Sequence, residues 1–104
     1  MTEPTIQNLF DLTGKVALIT GGSGYLGSAF SRALAEAGAS VVIASRSQER
    51  AEQVAADLPS PSGAAHFGVQ LDQLDENSLD AGFDSAVEAA GQVDILINNG
   101  QQGH

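Results

Sequence analysis

The sequence predicts an α/β domain in which helices cover both faces of a parallel sheet. Apolar runs that are typical of strands alternate with segments of helical periodicity, in the order βαβαβαβ. A glycine-rich turn, "GGSGYLG", follows the first apolar run directly and opens the first helical segment. Because crossovers between parallel strands are right-handed, this order places helices on both sides of the sheet.

Four apolar stretches predict the strands: Val16–Thr20, Val41–Ser45, Ala65–Leu71 and Val93–Asn98. The first two are nearly continuous runs of apolar residues rich in Val and Ile. Such runs are expected where a strand is buried on both faces. The sheet is therefore predicted to have its first two strands in the interior of the domain.

Three helices are predicted between these strands. The first buries an apolar face made of Leu26, Ala29, Phe30, Ala33, Leu34 and Ala37. The second begins near the N-cap Ser47 and buries Ala51, Val54, Ala55 and Leu58. The third covers residues 75–90 and buries Leu79, Phe83, Ala86, Val87 and Ala90. Because like charges four residues apart repel, we expect water around its acidic face of Glu76, Asp80, Asp84 and Glu88.

The composition predicts one small domain over residues 1–104, with residues 1–12 as an N-terminal arm. The net charge of −9 and only four Lys and Arg residues exclude a nucleic-acid partner, because phosphate contacts need clustered basic residues. No apolar run approaches a membrane span, and the acidic N-terminus does not resemble a secretory signal. The chain also lacks cysteine. We therefore expect a cytoplasmic protein with no membrane partner.

The glycine turn fits the spacing G-x-G-x-x-G immediately after a strand. Glycines let a pyrophosphate approach the backbone, and the helix that follows supplies free N–H groups. The turn therefore predicts a dinucleotide site formed by Gly21, Gly22, Ser23, Gly24, Tyr25, Leu26 and Gly27. The alternative is a turn that only packs a helix on a strand. Ser23 is interpreted as a residue that forms the turn and donates a hydrogen bond to phosphate. A nucleophilic serine would need a general base nearby, and no motif supplies one.

The residues after the second strand predict the choice of nucleotide. An acidic residue at this point binds the ribose 2′-hydroxyl of NAD, but here the chain reads Ser45, Arg46, Ser47. No carboxylate is present to repel a 2′-phosphate, and a guanidinium can pair with one. Arg50 lies one turn further along and could assist. We therefore predict NADP rather than NAD as cofactor; the alternative is that Arg46 is only a surface residue.

With these motifs, the chain resembles the first half of a short-chain dehydrogenase/reductase, from about Phe10 onward. "LTGKVALITGG" is similar to the start of the family's first strand, and the resemblance implies a Rossmann-type sheet of order 3-2-1-4. It also implies that Asp72 hydrogen-bonds adenine and that Asn98, Asn99 and Gly100, similar to an N-N-A-G motif, line the ribose. The full-length protein is then an oxidoreductase that passes hydride between NADP(H) and a carbonyl or alcohol substrate.

The glycine spacing leaves the branch of the family open. Thr20, Gly21, Gly24 and Gly27 fit T-G-x-x-G-x-x-G, which is typical of the extended branch. A fragment of a nucleotide-sugar epimerase or dehydratase is therefore an alternative. Asn98 and Asn99 favour the single-domain branch instead, although Gly100-Gln101 replaces Ala-Gly.

The family's catalytic residues have no counterpart in this chain. Members use a Ser, and a Tyr and Lys in a Y-x-x-x-K motif, all from the second half. Here the tyrosine is Tyr25, inside the glycine turn, and the lysine is Lys15, before the first strand. No catalytic residue is predicted, and the chain alone is expected to be inactive. A non-catalytic NADP(H)-binding module is a third alternative.

Two further expectations concern metals and self-association. His66 and His104 do not share a helix face at metal-ligand spacing, so no metal site is predicted. In the family's strand order the fourth strand is followed by a fifth, so that residues 94–98 here form an apolar unpaired edge. We expect this edge to cause self-association.

Overall fold

The computed structural model describes residues 11–21, 25–72 and 74–98, and for Tyr25 and Leu26 the backbone alone. Its strands are β1 (Val16–Thr20), β2 (Ser40–Ser45), β3 (Phe67–Gln70) and β4 (Ile95–Asn98). Its helices are α1 (Tyr25–Glu36), α2 (Gln48–Ala56) and α3 (Glu76–Ala90). Neighbouring strands are parallel, in the order β3-β2-β1-β4. The predicted fold class and strand order are therefore confirmed.

Helices lie on both faces of the sheet, and each face has its own apolar cluster. The cluster beneath α1 and α2 contains Ile19, Ala35, Ala39, Val41, Ile43, Ala51 and Ala55. The cluster beneath α3 contains Val16, Leu18, Val42, Ala44, Val69, Leu71 and Ala86. Successive residues of β1 and β2 alternate between the two clusters, so both strands are buried on both faces as predicted. Leu12, from the predicted arm, packs against the α1–α2 cluster.

α1 contacts the sheet through small residues and through Leu34, so only part of the predicted apolar face is buried. Gly27 and Ser31 are buried, as is Ala35 one turn further on, and the Ser31 hydroxyl donates to the Gly27 carbonyl oxygen at 2.7 Å. Small side chains let the helix backbone lie close to the sheet, so close packing decides which face is buried. The prediction is wrong for three residues that are exposed: Ala29, Phe30 and Ala33.

α2 and α3 follow their predictions more closely. Ser47 caps α2 by accepting a hydrogen bond from the Arg50 N–H at 3.2 Å, and Asp75 caps α3 through the Asn77 N–H at 3.0 Å. The predicted acidic face of α3 is exposed along its whole length. Phe83 departs from the prediction: it is 42% exposed, while its neighbour Gly82 is buried against the sheet.

α2 lies directly against the backbone of β3 at Gly68. A Cβ atom placed there would lie 2.5 Å from the Ala51 carbonyl carbon and 2.8 Å from its oxygen, closer than non-bonded atoms pack. The side-chain amide of Gln48 also donates to the Gly68 carbonyl oxygen, at 2.8 Å. A glycine inside a strand often marks this kind of close backbone approach.

β3 begins later than the predicted Ala65, because a side chain occupies the ladder position before it. The Val41 N–H, which is on the β3 side of β2, donates to His66 Nδ1 at 3.0 Å. His66 Nε2 therefore carries the proton and donates to the Pro59 carbonyl oxygen at 2.8 Å. The imidazole thus satisfies a strand donor in place of a backbone carbonyl group.

β4 also begins later than predicted, at Ile95 rather than Val93. The Val16 N–H donates to the Asp94 carboxylate at 2.8 Å, and the Asp94 N–H donates to the Val16 carbonyl oxygen at 2.8 Å. This exchange joins the start of β4 to the start of β1 through one side chain and one backbone bond.

β4 forms one edge of the sheet and is the least covered strand. It pairs with β1 from Ile95 to Asn98, yet none of the three helices packs extensively on it within the described residues. Ile95 and Ile97 are half-buried, and Leu96 is 58% exposed. The predicted apolar edge is therefore present in the structure.

Candidate functional site

The carboxyl ends of the four parallel strands lie along one edge of the sheet. The connection from β1 to β2 passes through α1 on one face of the sheet. The connection from β3 to β4 passes through α3 on the opposite face. The topology therefore switches between β1 and β4. Ligands of open α/β sheets bind in the crevice outside the strand ends at such a switch point.

The glycine turn lies at the end of β1 and leads into α1. Gly21 has a φ of 69°, a left-handed conformation that favours glycine, and its N–H donates to the Ala44 carbonyl oxygen at 3.1 Å. Because α1 begins at Tyr25, its N-terminal dipole lies at this edge of the sheet. Three predicted site residues of this turn lie outside the described part of the chain, namely Gly22, Ser23 and Gly24.

The turn after β2 has a main chain held by several hydrogen bonds. The Ser45 hydroxyl accepts from the Ser47 N–H at 3.4 Å, and the Ser45 carbonyl oxygen accepts from the Leu71 N–H at 2.8 Å. Between them, Arg46 is exposed, and Arg50 is exposed in the first turn of α2. The predicted 2′-phosphate residues therefore lie on an ordered turn beside the glycine turn.

Asp72 lies after β3 at the same edge and is half-buried. Its Oδ1 accepts from the Leu74 N–H at 3.0 Å, and its own N–H donates to the Ser78 hydroxyl at 2.7 Å. The Asp72 carbonyl oxygen accepts from the Asp75 N–H at 3.0 Å. These bonds give Asp72 a part in the turn that starts α3. Its contact with adenine stays a prediction.

Asn98 ends β4 directly beside Thr20, the last residue of β1. The Thr20 hydroxyl donates to Asn98 Oδ1 at 2.9 Å, which joins the two strand ends at the switch point. Asn99 and Gly100 lie outside the described residues, so the predicted ribose contacts stay predictions.

Sequence reasoning missed Gln70, the last residue of β3. Its side-chain amide donates to the Arg46 carbonyl oxygen at 3.1 Å. The only signal in the sequence is a polar residue at the end of an apolar strand, which is too common to single it out.

The described residues form neither a metal site nor a membrane-spanning helix. Across residues 11–21, 25–72 and 74–98, no group of three or more His, Asp or Glu side chains could hold a metal ion. None of the helices described is both long and apolar enough to cross a membrane. The cytoplasmic location stays a prediction.

Comparison with known proteins places the chain beside oxidoreductases. The family model described as short chain dehydrogenase matches residues 15–103. The 3-oxoacyl-(acyl-carrier-protein) reductase of Aquifex aeolicus (strain VF5) is 38% identical over 88 residues, which cover 85% of this chain and 36% of the reductase. The chain thus spans about a third of the length of the curated relatives it matches.

Solved structures give the same result. The hydroxysteroid dehydrogenase from Escherichia coli superposes with a TM-score of 0.81 and 35% identity, over 91% of this chain and 40% of that one. The 3-ketoacyl-(acyl-carrier-protein) reductase from Brucella melitensis, complexed with NADH, gives 0.72 and 39%, over 82% and 33%. These dehydrogenases and reductases do not favour the epimerase or dehydratase alternative.

Proposed function

Because the chain belongs to the short-chain dehydrogenase family, we propose that it is the NADP(H)-binding part of an oxidoreductase. In the full-length protein, hydride would pass between NADP(H) and a carbonyl or alcohol substrate. The nicotinamide supplies the hydride chemistry, while this chain's residues bind and orient the dinucleotide. The observation that carries the choice of NADP is the exposed Arg46 on the ordered turn after β2.

Each part of the dinucleotide has residues proposed to hold it. Residues 21–27 would hold the pyrophosphate, with the N-terminus of α1 opposite its charge. Ser45, Arg46 and Ser47 would surround the 2′-phosphate, and Asp72 the adenine. Asn98, Asn99 and Gly100 would line the ribose near the nicotinamide. This order follows the strand ends along the sheet edge, from β3 and β2 to β1 and β4.

The positive charge of Arg46, in the turn after β2, favours NADP over NAD. Residues 45–47 contain no carboxylate that would bind a 2′-hydroxyl and repel a 2′-phosphate. The Brucella reductase in complex with NADH shows that a protein with this fold and 39% identity takes the unphosphorylated nucleotide. The proposal of NADP for this chain therefore depends on Arg46 and not on the family.

Replacing Arg46 tests the cofactor choice. We expect the chain to bind NADPH more tightly than NADH in fluorescence titrations, and Arg46→Asp to reverse the order. A charge-assisted contact of about 1.5–3 kcal/mol corresponds to roughly 10- to 150-fold in affinity. Arg32→Asp, at an exposed position of α1, is the matched charge control and should leave the order unchanged. Equal affinities of the unmodified chain for both nucleotides would contradict the proposal.

We propose that the chain alone turns over no substrate, since it lacks the Tyr and Lys of the family's proton-transfer motif. General acid–base help is typically worth about 10²–10⁴-fold, and the substrate-positioning half is missing as well. The test follows NADPH absorbance with aldehydes, ketones and quinones, using the purified chain. Sustained turnover that Gly24→Val abolishes would show a proton donor within these residues.

The coding DNA that follows the codon for His104 distinguishes two hypotheses, part of an enzyme and a non-catalytic module. A Y-x-x-x-K motif in the continuing reading frame supports the NADP(H)-binding part of an enzyme. A stop codon at that point supports a module that binds NADP(H) without catalysis.

The exposed edge at β4 is proposed to cause self-association. Leu96 is 58% exposed on β4, which among the described residues pairs with β1 alone, and such an edge strand is a template for pairing with another chain. Light scattering should show dimers or larger species that Leu96→Lys reduces. Leu74→Lys, at a loop position 72% exposed, is the control and should have no such effect. A monomer over a wide concentration range would contradict this proposal.

A further inference from the structure

Gln70 is joined to the turn that carries Arg46 across 24 positions of the sequence. Gln70 pairs with Ser45 in the parallel ladder between β3 and β2. Its side-chain amide donates to the Arg46 carbonyl oxygen at 3.1 Å, and the next residue, Leu71, donates its N–H to the Ser45 carbonyl oxygen at 2.8 Å. Residues at the end of β3 thus donate hydrogen bonds to two successive carbonyl groups, those of Ser45 and Arg46.

The bond from Gln70 restrains the peptide group that directly follows the Arg46 Cα atom, from which the side chain extends. Ser45 and Ser47 are held by bonds within the turn and to α2, but those bonds do not involve the Arg46 carbonyl group. An arginine side chain has many rotamers, and binding must offset the entropy lost when one is selected. A fixed main chain reduces the number of positions that the guanidinium samples, which favours a contact at one point.

We propose that Gln70 is a positioning residue for nucleotide selectivity: it orients the Arg46 turn so that the guanidinium meets the 2′-phosphate. This inference rests on the proposed NADP(H) function. Gln70 contacts the main chain of the turn, so its effect on the nucleotide acts through Arg46. It therefore supports binding of NADPH and makes no difference to NADH, which has no 2′-phosphate.

Gln48 provides a matched control within the same region. Its amide donates to the Gly68 carbonyl oxygen of β3 at 2.8 Å, which is the same type of side-chain to backbone bond. It also donates to the Glu52 carboxylate at 2.8 Å, within α2. Neither bond touches the Arg46 peptide. Removing the Gln48 amide therefore tests the loss of a bond between α2 and β3 without releasing the turn.

The experiment measures the ratio of the Kd for NADH to the Kd for NADPH by fluorescence titration of the whole chain. Gln70→Ala should lower this ratio by about 3- to 10-fold, the amount expected from one neutral hydrogen bond. Gln70→Met, which keeps the length but not the amide, should lower it equally. Gln48→Ala should leave the ratio within twofold. In an Arg46→Ala background, Gln70→Ala should have no further effect on the ratio.

The outcomes separate this inference from the function on which it rests. If the unmodified chain prefers NADPH and neither Gln70 variant changes the ratio, the role of Gln70 is overturned and the NADP assignment stands. Equal weakening of both nucleotides by Gln70→Ala, or a matching loss in Gln48→Ala, shows a structural role and also overturns it. An unmodified chain without preference for NADPH, or without affinity for either nucleotide, contradicts both proposals.

Discussion

The two ends of the sheet are stabilised by different means. At the end formed by β3, here called the β3 end, α2 lies against the strand backbone at Gly68. Three side chains add hydrogen bonds at this end. His66 bonds to β2, Gln48 of α2 bonds to the β3 backbone, and Gln70 bonds to the turn after β2. Helix cover and side-chain bonds therefore act together at this end.

At the end formed by β4, here called the β4 end, the strand contacts the rest of the domain mainly through its hydrogen-bonded pairing with β1. Side-chain bonds from Asp94 and Thr20 join the two strands at either end of the ladder. No helix packs extensively on β4 in the described part of the chain, and Leu96 is 58% exposed.

Parallel pairing alone gives a strand little protection from water. Local stability depends on buried apolar contacts as well as on hydrogen bonds. We therefore expect amide hydrogens of β4 to exchange through local opening, and those of β3 to exchange closer to the rate set by global unfolding. Substitutions at Gly68 and His66 change the β3 end, and a substitution at Asp94 changes the β4 end.

The largest expected effect is at Gly68. Gly68→Ala places a methyl group against the Ala51 backbone, which cannot move without displacing α2. We expect a loss of about 3 kcal/mol in the free energy of unfolding, measured by urea denaturation. Gly82→Ala is the control, since its methyl group meets the Leu71 side chain, and it should cost only about 1 kcal/mol. Equal losses would show that α2 does not constrain β3 at this point.

His66 gives the second largest effect. His66→Ala leaves the buried Val41 N–H without its acceptor and removes the bond to Pro59. We expect a loss of about 2 kcal/mol, together with faster amide exchange in β3. His66→Gln, which can both accept and donate, should recover part of the loss. Nitrogen-15 NMR of the imidazole should show the proton on Nε2, and a proton on Nδ1 would contradict the contact with Val41.

Asp94 is the corresponding residue at the β4 end, with a smaller effect because its carboxylate is exposed. Asp94→Ala removes the acceptor of the Val16 N–H and should cost about 1 kcal/mol. Asp94→Asn retains an acceptor and should cost less. Amide exchange should accelerate in β4 and not in β3. Acceleration at both ends would show that the two ends open together.

The smallest effect is at the exposed turn before β1, away from both ends. The Thr13 hydroxyl donates to the Asp11 carboxylate at 2.6 Å and holds the pKa of Asp11 below its usual value. A lowered pKa stabilises the fold above the unfolded pKa, and this is lost as the pH falls through the folded pKa. Thr13→Val should raise the pKa of Asp11 in a carbon-13 NMR titration, with no measurable change in Tm. Thr13→Ser should leave this pKa low.

The periodicity of the sequence was enough to predict the order of elements, because buried parallel strands need continuous apolar runs. It failed where packing distance mattered more than hydrophobicity. Ser31 is polar and yet fully buried in α1, since its hydroxyl bonds to a carbonyl group of its own helix. Phe30 beside it is more apolar and 41% exposed.

The candidate site was predictable to the extent that it follows strand ends. Arg46, Asp72 and Asn98 each come after or at the end of a predicted strand, and parallel pairing brings those ends to one edge. The role proposed for Gln70 was not predictable, because it depends on a bond to a residue 24 positions earlier. The register that creates this bond is a property of the folded sheet, which no local pattern specifies.

The position of β4 next to β1 also fixes an order of events during synthesis. β1, β2 and β3 can pair once the chain is complete to Gln70, but the second edge of β1 has no partner until Asn98 has been made. At ribosomal rates this interval is on the order of seconds. Throughout it, the nascent chain exposes the most apolar strand of the sheet rather than β4. During this interval the open edge of β1 is available for pairing with other chains, because β4 has not yet been made to cover it.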